Sequence, residues 1–484
     1  MKLAIMEDLH LPYRRDALQY QALNYYLKEI EKSGADALVV PGDFTADGNR
    51  ETAAFFLCAM DTLHIPVLVM TGNAEYRDPE SLSFIRSLPL RAKNELSGGV
   101  IFTLRDGEGA VSKEDALLLR EANEKTPVFL HHPIESLSEP SRTRMAAFRE
   151  AHPEVPIFVG HAHIEKREGN TYYLNAADPD KAIGMEPCIY FYDTEEKTLT
   201  KTHFPCPVPK DFASYIGISA FHPLEDLAFA AEKGLYAVEL RPSVVKTERE
   251  ALVRAIERFR ACGGRIVSFH FPNIAERDGS LAEAEELLSY AALCSECGAN
   301  RVTVHAPSVP LSMIEKDPAF LEGIADLCAL ALNALPEGCE VGVENMHMAK
   351  GDTPENRRFG YTPEECEQYI RLLQKRTSRP VGFHFDSGHA RNNRPLSQIY
   401  TQSVWMAALG QRINGCHIHQ VLHENGKFFN HCPITEPYGA LISYATFFRM
   451  WEEGRIRKAP IFLEIRPTEE DPAPYKQCLS WIFG

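Results

Sequence analysis

The chain has 484 residues, 44% of them hydrophobic and 24% charged, with a formal net charge of −16. This is ordinary globular composition; it excludes extended disorder as the main state, and the length gives a prior of two to four domains. The acidic balance argues against a protein devoted to gripping a nucleic-acid backbone, because that affinity comes from Lys and Arg: residues 1–212 carry 23 basic against 33 acidic side chains, net −10, and the remainder 28 against 34, net −6. No uncharged apolar run reaches about 18 residues, so no membrane-spanning helix is expected. Met1–His10 holds no long apolar segment followed by a small-residue cleavage site, and a cytoplasmic location is expected. In that compartment the 12 cysteines are expected to be reduced thiols.

In chain order, Lys2–Met6 reads as a short buried strand, Ala17–Lys32 as a helix, Ala37–Val40 as a strand, Glu51–Leu63 as a helix and Val67–Met70 as a strand. That alternation predicts an α/β layer with parallel strands. Further strands are expected at Val128–His131, Ile157–Val159, Tyr172–Leu174 and Ile189–Tyr192. Phe204-Pro-Cys-Pro-Val-Pro209 can continue neither a helix nor a central strand. It divides a first domain, 1–204, from a linker, 205–214, and a second domain, 215–484. There, strands are expected at Tyr215–Ser219, Ala237–Leu240, Arg265–Phe269, Arg301–Val304, Glu340–Val343, Val381–Phe385, Gly415–Ile418 and Ile461–Ile465. Amphipathic helices such as Glu248–Cys262 and Leu281–Cys297 separate most of them. Eight β/α units in about 270 residues predict a (β/α)₈ TIM barrel.

Residues of metal-binding type follow the strands of the first domain: Asp8-Leu-His10, Gly42-Asp43, Gly72-Asn73, His131-His132 and Gly160-His161-Ala-His163. Carboxylate, imidazole and amide oxygen suit borderline ions such as Mn, Fe or Zn. Seven such ligands suit two adjacent ions sharing a carboxylate, the arrangement that clamps the attacking and leaving oxygens of a phosphoryl displacement. His64, His152 and His203 lack this context and read as surface or packed residues.

The strand ends of the barrel carry His270, His305, Glu344, Asp386 with His389, His417 and Glu464, and His431 follows in the loop after the seventh strand. Catalytic residues of barrel enzymes lie at these C-terminal ends. Glu344, Asp386, His417 and Glu464 suffice for one Zn or Mn with open positions. The further histidines His270, His305, His389 and His431 exceed one ion's need, so the barrel is expected to hold one to three. His384 and His419 read as supporting or core residues, and His222 and His347 as substrate contacts. Cys294-Ser-Glu-Cys297, with no second pair, reads as part of a packed helix.

The first set, in this order, resembles the calcineurin-like metallophosphoesterases over about residues 1–205. The resemblance implies a β-sandwich flanked by helices. It implies that Asp8, His10, Asp43, Asn73, His131, His161 and His163 are metal ligands, with Asp43 bridging two ions. The family histidine after the asparagine, which commonly protonates the leaving oxygen or binds phosphate, is Ala74 here. A substrate with a good leaving group, a substitute such as His132, or a weakened site would each follow. Residues 215–467 resemble the xylose-isomerase-like superfamily of sugar isomerases, epimerases and endonuclease IV-type enzymes, through Val238-Glu239-Leu240, Asp386-Ser-Gly-His389-Ala and Glu464. This implies Glu344, Asp386, His417 and Glu464 as shared ligands, with Glu344 and Glu464 doubling as proton-transfer bases in the epimerases. His270 and His305 match histidines that bind an additional ion in the endonuclease branch. That branch's Asp-x-His reads Phe429-Asn-His431 here, without the carboxylate.

The leading expectation is a bifunctional metal-dependent enzyme acting on a small phosphorylated molecule, such as a sugar or polyol phosphodiester. Its first domain would be a phosphodiesterase or phosphatase, with catalytic residues Asp43 and His132. Its barrel would be an isomerase or epimerase using Glu344 and Glu464. The alternatives are two phosphoesterases acting in sequence on a diester and its monoester, and a nucleic-acid processing enzyme, which the charge disfavours. A binding or regulatory protein with one degenerate site has only Ala74 and Phe429 in its support. No membrane partner is expected, and oligomeric state is open.

Overall fold

Short apolar runs become strands because burying them on both faces of a sheet removes their side chains from water. The computed structural model describes residues 1–274, 284–439 and 441–483. In it Leu3, Ala4 and Ile5 are fully buried in β1 (Lys2–Ile5). The chain divides into two compact units, Met1–Pro207 with Ser443–Thr446, and Val208–Ile442 with Phe447–Gly484.

In the first unit β1 pairs in parallel with β2 (Ala37–Val40), which pairs in parallel with β3 (Val67–Val69). Next come β4 (Lys93–Leu96), β5 (Gly99–Thr103), β6 (Val128–Leu130), β7 (Ile157–Val159), β8 (Lys166–Glu168), β9 (Thr171–Tyr173), β10 (Cys188–Asp193) and β11 (Thr198–His203). They form two sheets, ordered β11-β10-β1-β2-β3 and β4-β5-β6-β7-β9-β8. The period-two alternation of strand side chains gives the second sheet two apolar faces. Phe129, Phe158 and Tyr172 pack with Leu3, Ile5, Val39 and Tyr190 of the first sheet. Their neighbours Val128, Leu130, Ile157 and Val159 pack on the other side with Leu119 and Met145, the latter from the helix Ser141–Ala151. A β-sandwich flanked by helices results. The parallel strands β1, β2 and β3 of one sheet, and β6 and β7 of the other, each run directly into a loop bearing metal-type residues.

The second unit contains a closed barrel of eight parallel strands: β12 (Ile216–Ala220), β13 (Ala237–Leu240), β14 (Ile266–His270), β15 (Arg301–His305), β16 (Glu340–Glu344), β17 (Val381–Asp386), β18 (Ile413–Ile418) and, after a hairpin of β19 (Gln420–Glu424) and β20 (Lys427–Cys432), β21 (Ile461–Leu463). The helix expected at Glu248–Cys262 spans Arg249–Ala261, with the Glu248 carboxylate accepting from the Glu250 and Ala251 amides at its N-terminus. Of the helix expected over Leu281–Cys297, Ala284–Glu296 is helical, and residues 281–283 lie outside the described residues. Cys294 and Cys297 are buried free thiols. Among the described residues no helix is long and apolar enough to cross a membrane.

The barrel interior carries a buried polar layer beneath its strand ends. Arg301, on β15, is 1% exposed and donates to Ser268 Oγ (2.9 Å), Thr303 Oγ1 (2.6 Å) and the Asn414 carbonyl (2.9 Å). Glycine makes the room: a Cβ at Gly342 or Gly415 would lie 2.3 Å from Arg301 Nη2. Arg301 faces Glu239 of β13 at 3.5 Å, so its buried charge is paired, as burial demands.

Candidate metal centres

In the first unit every ligand candidate sits just past a strand end, and five do so with left-handed backbone: Asp8 (φ 51°), His10 (φ 47°), Asp43 (φ 46°), His161 (φ 63°) and His163 (φ 55°). Non-glycine residues there cost of order 1–3 kcal/mol each and cluster at functional sites. The strained loops aim the side chains into two adjoining groups. In one, His10 Nε2 lies 3.7 Å from Asp8 Oδ1 and 3.3 Å from His163 Nε2, and Asp8 Oδ1 lies 3.6 Å from His163 Nε2. In the other, His131 Nε2 lies 3.2 Å from both His161 Nδ1 and Asn73 Oδ1. Asp43 joins them, with Oδ2 3.7 Å from His10 Nε2 and Oδ1 3.4 Å from His131 Nε2.

These are separations that ligands about 2.0–2.2 Å from a shared ion have from one another. The donor set is rich in lone pairs and poor in protons. Asp8 Oδ1 is buried with no hydrogen-bond partner, while Asp8 Oδ2 accepts from the His161 amide at 2.7 Å. The anchored oxygen thus leaves its twin pointing into the cluster. Burial pushes the Asp8 carboxyl up, but the imidazoles of His163, His131 and His10 outweigh it and hold it well below the usual range. Glu75 is pushed up to about 8, first by burial and then by the charge of Asp43. Crowded carboxylates and imidazole lone pairs of this kind fit divalent cations.

A second layer of carboxylates, which sequence reasoning missed, orients the first. Glu7 Oε1 faces His131 Nδ1 at 3.3 Å, which turns Nε2 toward the cluster. Gly160 is needed there, because a Cβ at that position would lie 2.0 Å from Glu7 Oε1. Glu75 accepts from the amides of Asp43 (3.0 Å), Thr45 (2.9 Å) and Gly72 (2.7 Å), bracing two ligand loops. Asp106 accepts from the amides of His131 (2.9 Å) and His132 (2.7 Å) and faces His132 Nδ1 at 3.3 Å. The His132 ring stands 4.6 Å from that of His161. Ala74 is fully buried, and its amide donates to Asp43 Oδ1 at 2.7 Å. Position 74 therefore supports the Asp43 carboxylate through its backbone. Of this layer only Glu75 lies beside a motif read in the sequence, two residues after Asn73.

In the barrel, the parallel register sets His305 beside Glu344 and Asp386 beside His417. Glu344 is the hub. Its Oε1 lies 3.2 Å from His417 Nδ1 and 3.3 Å from His389 Nδ1; its Oε2 lies 3.1 Å from His270 Nε2 and 3.3 Å from His305 Nε2. Burial pushes the Glu344 carboxyl up, and the imidazoles of His305 and His417 outweigh it, holding it well below the usual range. His417 Nδ1 also faces Glu464 Oε2 (3.4 Å) and Asp386 Oδ2 (3.6 Å), the latter oxygen buried without a hydrogen-bond partner. Glu239 orients this ring: it accepts from Ser268 Oγ at 2.9 Å and meets His417 Nε2. Glu464 Oε1 is held by Arg241 Nη1.

His431 lies on the hairpin strand β20 rather than in a plain loop, with φ 56°. Its Nδ1 is 3.6 Å from Glu464 Oε2. His419 joins it there, with ring centroids 4.2 Å apart, although the sequence favoured a supporting or core role. His419 Nε2 lies 3.6 Å from Asp386 Oδ1. His384 stays below the site against Arg301 Nη2 at 2.6 Å. The His347 ring lies 4.7 Å from that of His389, tilted by 37°, whereas His222 is exposed. A cavity of about 310 Å³ opens over these strand ends and is lined by His305, Glu344, His389, His431, Glu464, Arg241 and Arg466 among others.

The calcineurin-like phosphoesterase family model matches residues 1–165, and the xylose isomerase-like TIM barrel model matches residues 227–483. Both families are typically divalent-metal dependent. No curated protein matches the chain. Similar solved structures include a xylose isomerase domain protein from Alicyclobacillus acidocaldarius, 15% identical, covering 55% of this chain and 96% of that one with a TM-score of 0.38. Endonuclease IV from Thermus thermophilus is 18% identical, with coverage of 56% and 99% and a TM-score of 0.38. A dimetal phosphatase from Danio rerio is 12% identical, with coverage of 40% and 92% and a TM-score of 0.31.

Proposed function

Because the chain belongs to the xylose isomerase-like TIM barrel family over residues 227–483 and carries a calcineurin-like phosphoesterase domain at its N-terminus, we propose that it is a metal-dependent enzyme with two phosphoesterase sites. One site opens a small phosphodiester and the other takes the resulting monoester. The observation that carries this reading is Glu344, whose two oxygens face four imidazoles. A carboxylate so engaged would suit a ligand shared between ions, and more than one ion in the barrel would favour phosphoryl chemistry. Glu464 is engaged likewise, between Arg241 on one oxygen and His417 and His431 on the other. Because the epimerase carboxylates double as ligands and bases, the hydrolytic reading rests on the imidazoles His270, His305, His389 and His431, which exceed one ion's need.

When bound, divalent ions (Mn, Fe or Zn in the first site, Zn or Mn in the barrel) supply Lewis-acid polarisation of a phosphoryl oxygen. Asp8, His10, Asp43, Asn73, His131, His161 and His163 would hold them in the first site. Asp43 offers one oxygen to each half. In the barrel the ligands would be His270, His305, Glu344, Asp386, His389, His417, His431 and Glu464. His132 is oriented by Asp106 through Nδ1; burial pushes its pKa down but Asp106 outweighs this and raises it, so the protonated ring would donate from Nε2 toward a leaving oxygen in place of a side chain at position 74. Arg241 and Arg466 line the barrel cavity, whose size suits a sugar- or polyol-phosphate. The acidic balance of both halves is consistent with a small substrate rather than a nucleic acid.

A ³¹P NMR time course on a polyol phosphodiester tests this reading. Wild-type protein is expected to release orthophosphate. Of the variants Asp43→Ala and Glu344→Ala, one stalls at the diester and the other at the monoester. Stalling of both at the same step, or conversion of a sugar phosphate to its isomer by the wild type, would contradict it.

A further inference from the structure

Three residues beyond Ala74, on the far side of the single 3₁₀ turn Ala74–Tyr76, stands Arg77. Its guanidinium is half-buried beside the first metal-type cluster. Nη1 donates to the Ala46 carbonyl at 2.7 Å. Among the described residues no carboxylate lies within ion-pairing distance of it, although Asp43 and Asp47 feel its charge. A partly buried cation without a carboxylate partner is costly to maintain, and here it sits one amide group from a proposed metal ligand.

That amide is Asn73. Its Oδ1 faces His131 Nε2 at 3.2 Å, as a metal ligand requires, so its NH₂ end is the one beside Arg77 Nη2, donor to donor, and offers the guanidinium no acceptor. The Arg77 Nη1 tether keeps the group at the site, with N–H bonds free to donate.

We propose that Arg77 is the anion-binding residue of the N-terminal site, its guanidinium receiving a phosphoryl oxygen of the ester. A guanidinium suits this task because its planar fork matches phosphoryl geometry and stays charged at any working pH. The inference rests on the phosphoesterase reading of that domain. It gives the site a phosphate-binding side chain that Ala74 cannot provide.

Calorimetric titration of orthophosphate into the metal-loaded full chain, in a Glu344→Ala background that disables the barrel, tests it. Arg77→Ala is expected to weaken phosphate binding about 10- to 100-fold, as loss of a hydrogen bond to a charged group does. Arg77→Lys should lose less, and the metal content of both variants should equal that of the parent. In the otherwise wild-type chain, Arg77→Ala should raise KM for a phosphodiester more than it lowers kcat. Phosphate affinity unchanged by Arg77→Ala would overturn the proposal, and so would loss of metal from that variant, which would make Arg77 a support for Asn73. A parent protein that neither binds phosphate nor cleaves phosphodiesters would instead overturn the phosphoesterase reading itself.

Discussion

Replacing Asp43 by alanine is expected to lower hydrolysis of a chromogenic phosphodiester at the N-terminal site by about three orders of magnitude or more, since Lewis-acid stabilisation of this kind is worth several kcal/mol. Asp43 faces His10 with one oxygen and His131 with the other, so its loss opens both halves of the site at once. No other carboxylate can replace it. Asp8 has one oxygen anchored by the His161 amide, and Glu75 is occupied by the amides of Asp43, Thr45 and Gly72. The barrel's metal content should be untouched. Unchanged hydrolysis in this variant would remove the N-terminal assignment.

The second large effect is expected at Glu344. Glu344→Ala should strip metal from the barrel and abolish the barrel's phosphoryl step, while the N-terminal activity persists. The four imidazoles that converge on Glu344 would then face one another across a buried space with one fewer negative charge. His270, His417 and Glu344 are each no more than 2% exposed, so water cannot replace the lost charge at low cost. Elemental analysis of the purified variant checks this, and retention of the wild-type metal count would refute it. Glu344→Gln, nearly equal in volume, separates loss of the ligand charge from a packing defect. It should lose metal as well while keeping the thermal stability of the metal-free wild type.

Much of the architecture was legible because it follows from apolar pattern. The strand expected at Ala237–Leu240 coincides with β13, and the other seven barrel strands lie within two residues of their expected bounds. Strands buried on both faces leave continuous apolar runs. Three polar edge strands do not: Lys93–Leu96, Lys166–Glu168 and Thr198–His203 are half-exposed or exposed, and nothing in their composition set them apart from loops. The hairpin that carries His431 was missed for the same reason, since Lys427–Asn430 is exposed.

The metal-type residues were legible because they fall directly after the strands. The residues that aim them were not, and Glu239 was singled out only within Val238-Glu239-Leu240 as a mark of the resemblance. Glu7, Asp106, Glu239 and Arg301 act across sequence separations of 124, 25, 178 and 113 residues, on His131, His131, His417 and Asn414. A charged residue in a strand reads equally well as a solvent-facing position until the fold shows what covers it. His419 illustrates the limit: two residues from His417 and on the same inward face by the period of two, it could not be assigned to site or core without the hairpin that brings His431 against it.

The central claim is that each half holds more than one ion, and elemental analysis of the metal-loaded full chain, with Asp43→Ala and Glu344→Ala alongside, tests it most directly. Two-metal sites in both halves predict about four or more divalent ions per chain, with the losses in the two variants falling in different halves. A wild-type count of about three, with only one ion lost on Glu344→Ala, would leave a single-metal barrel of the isomerase type and contradict the account.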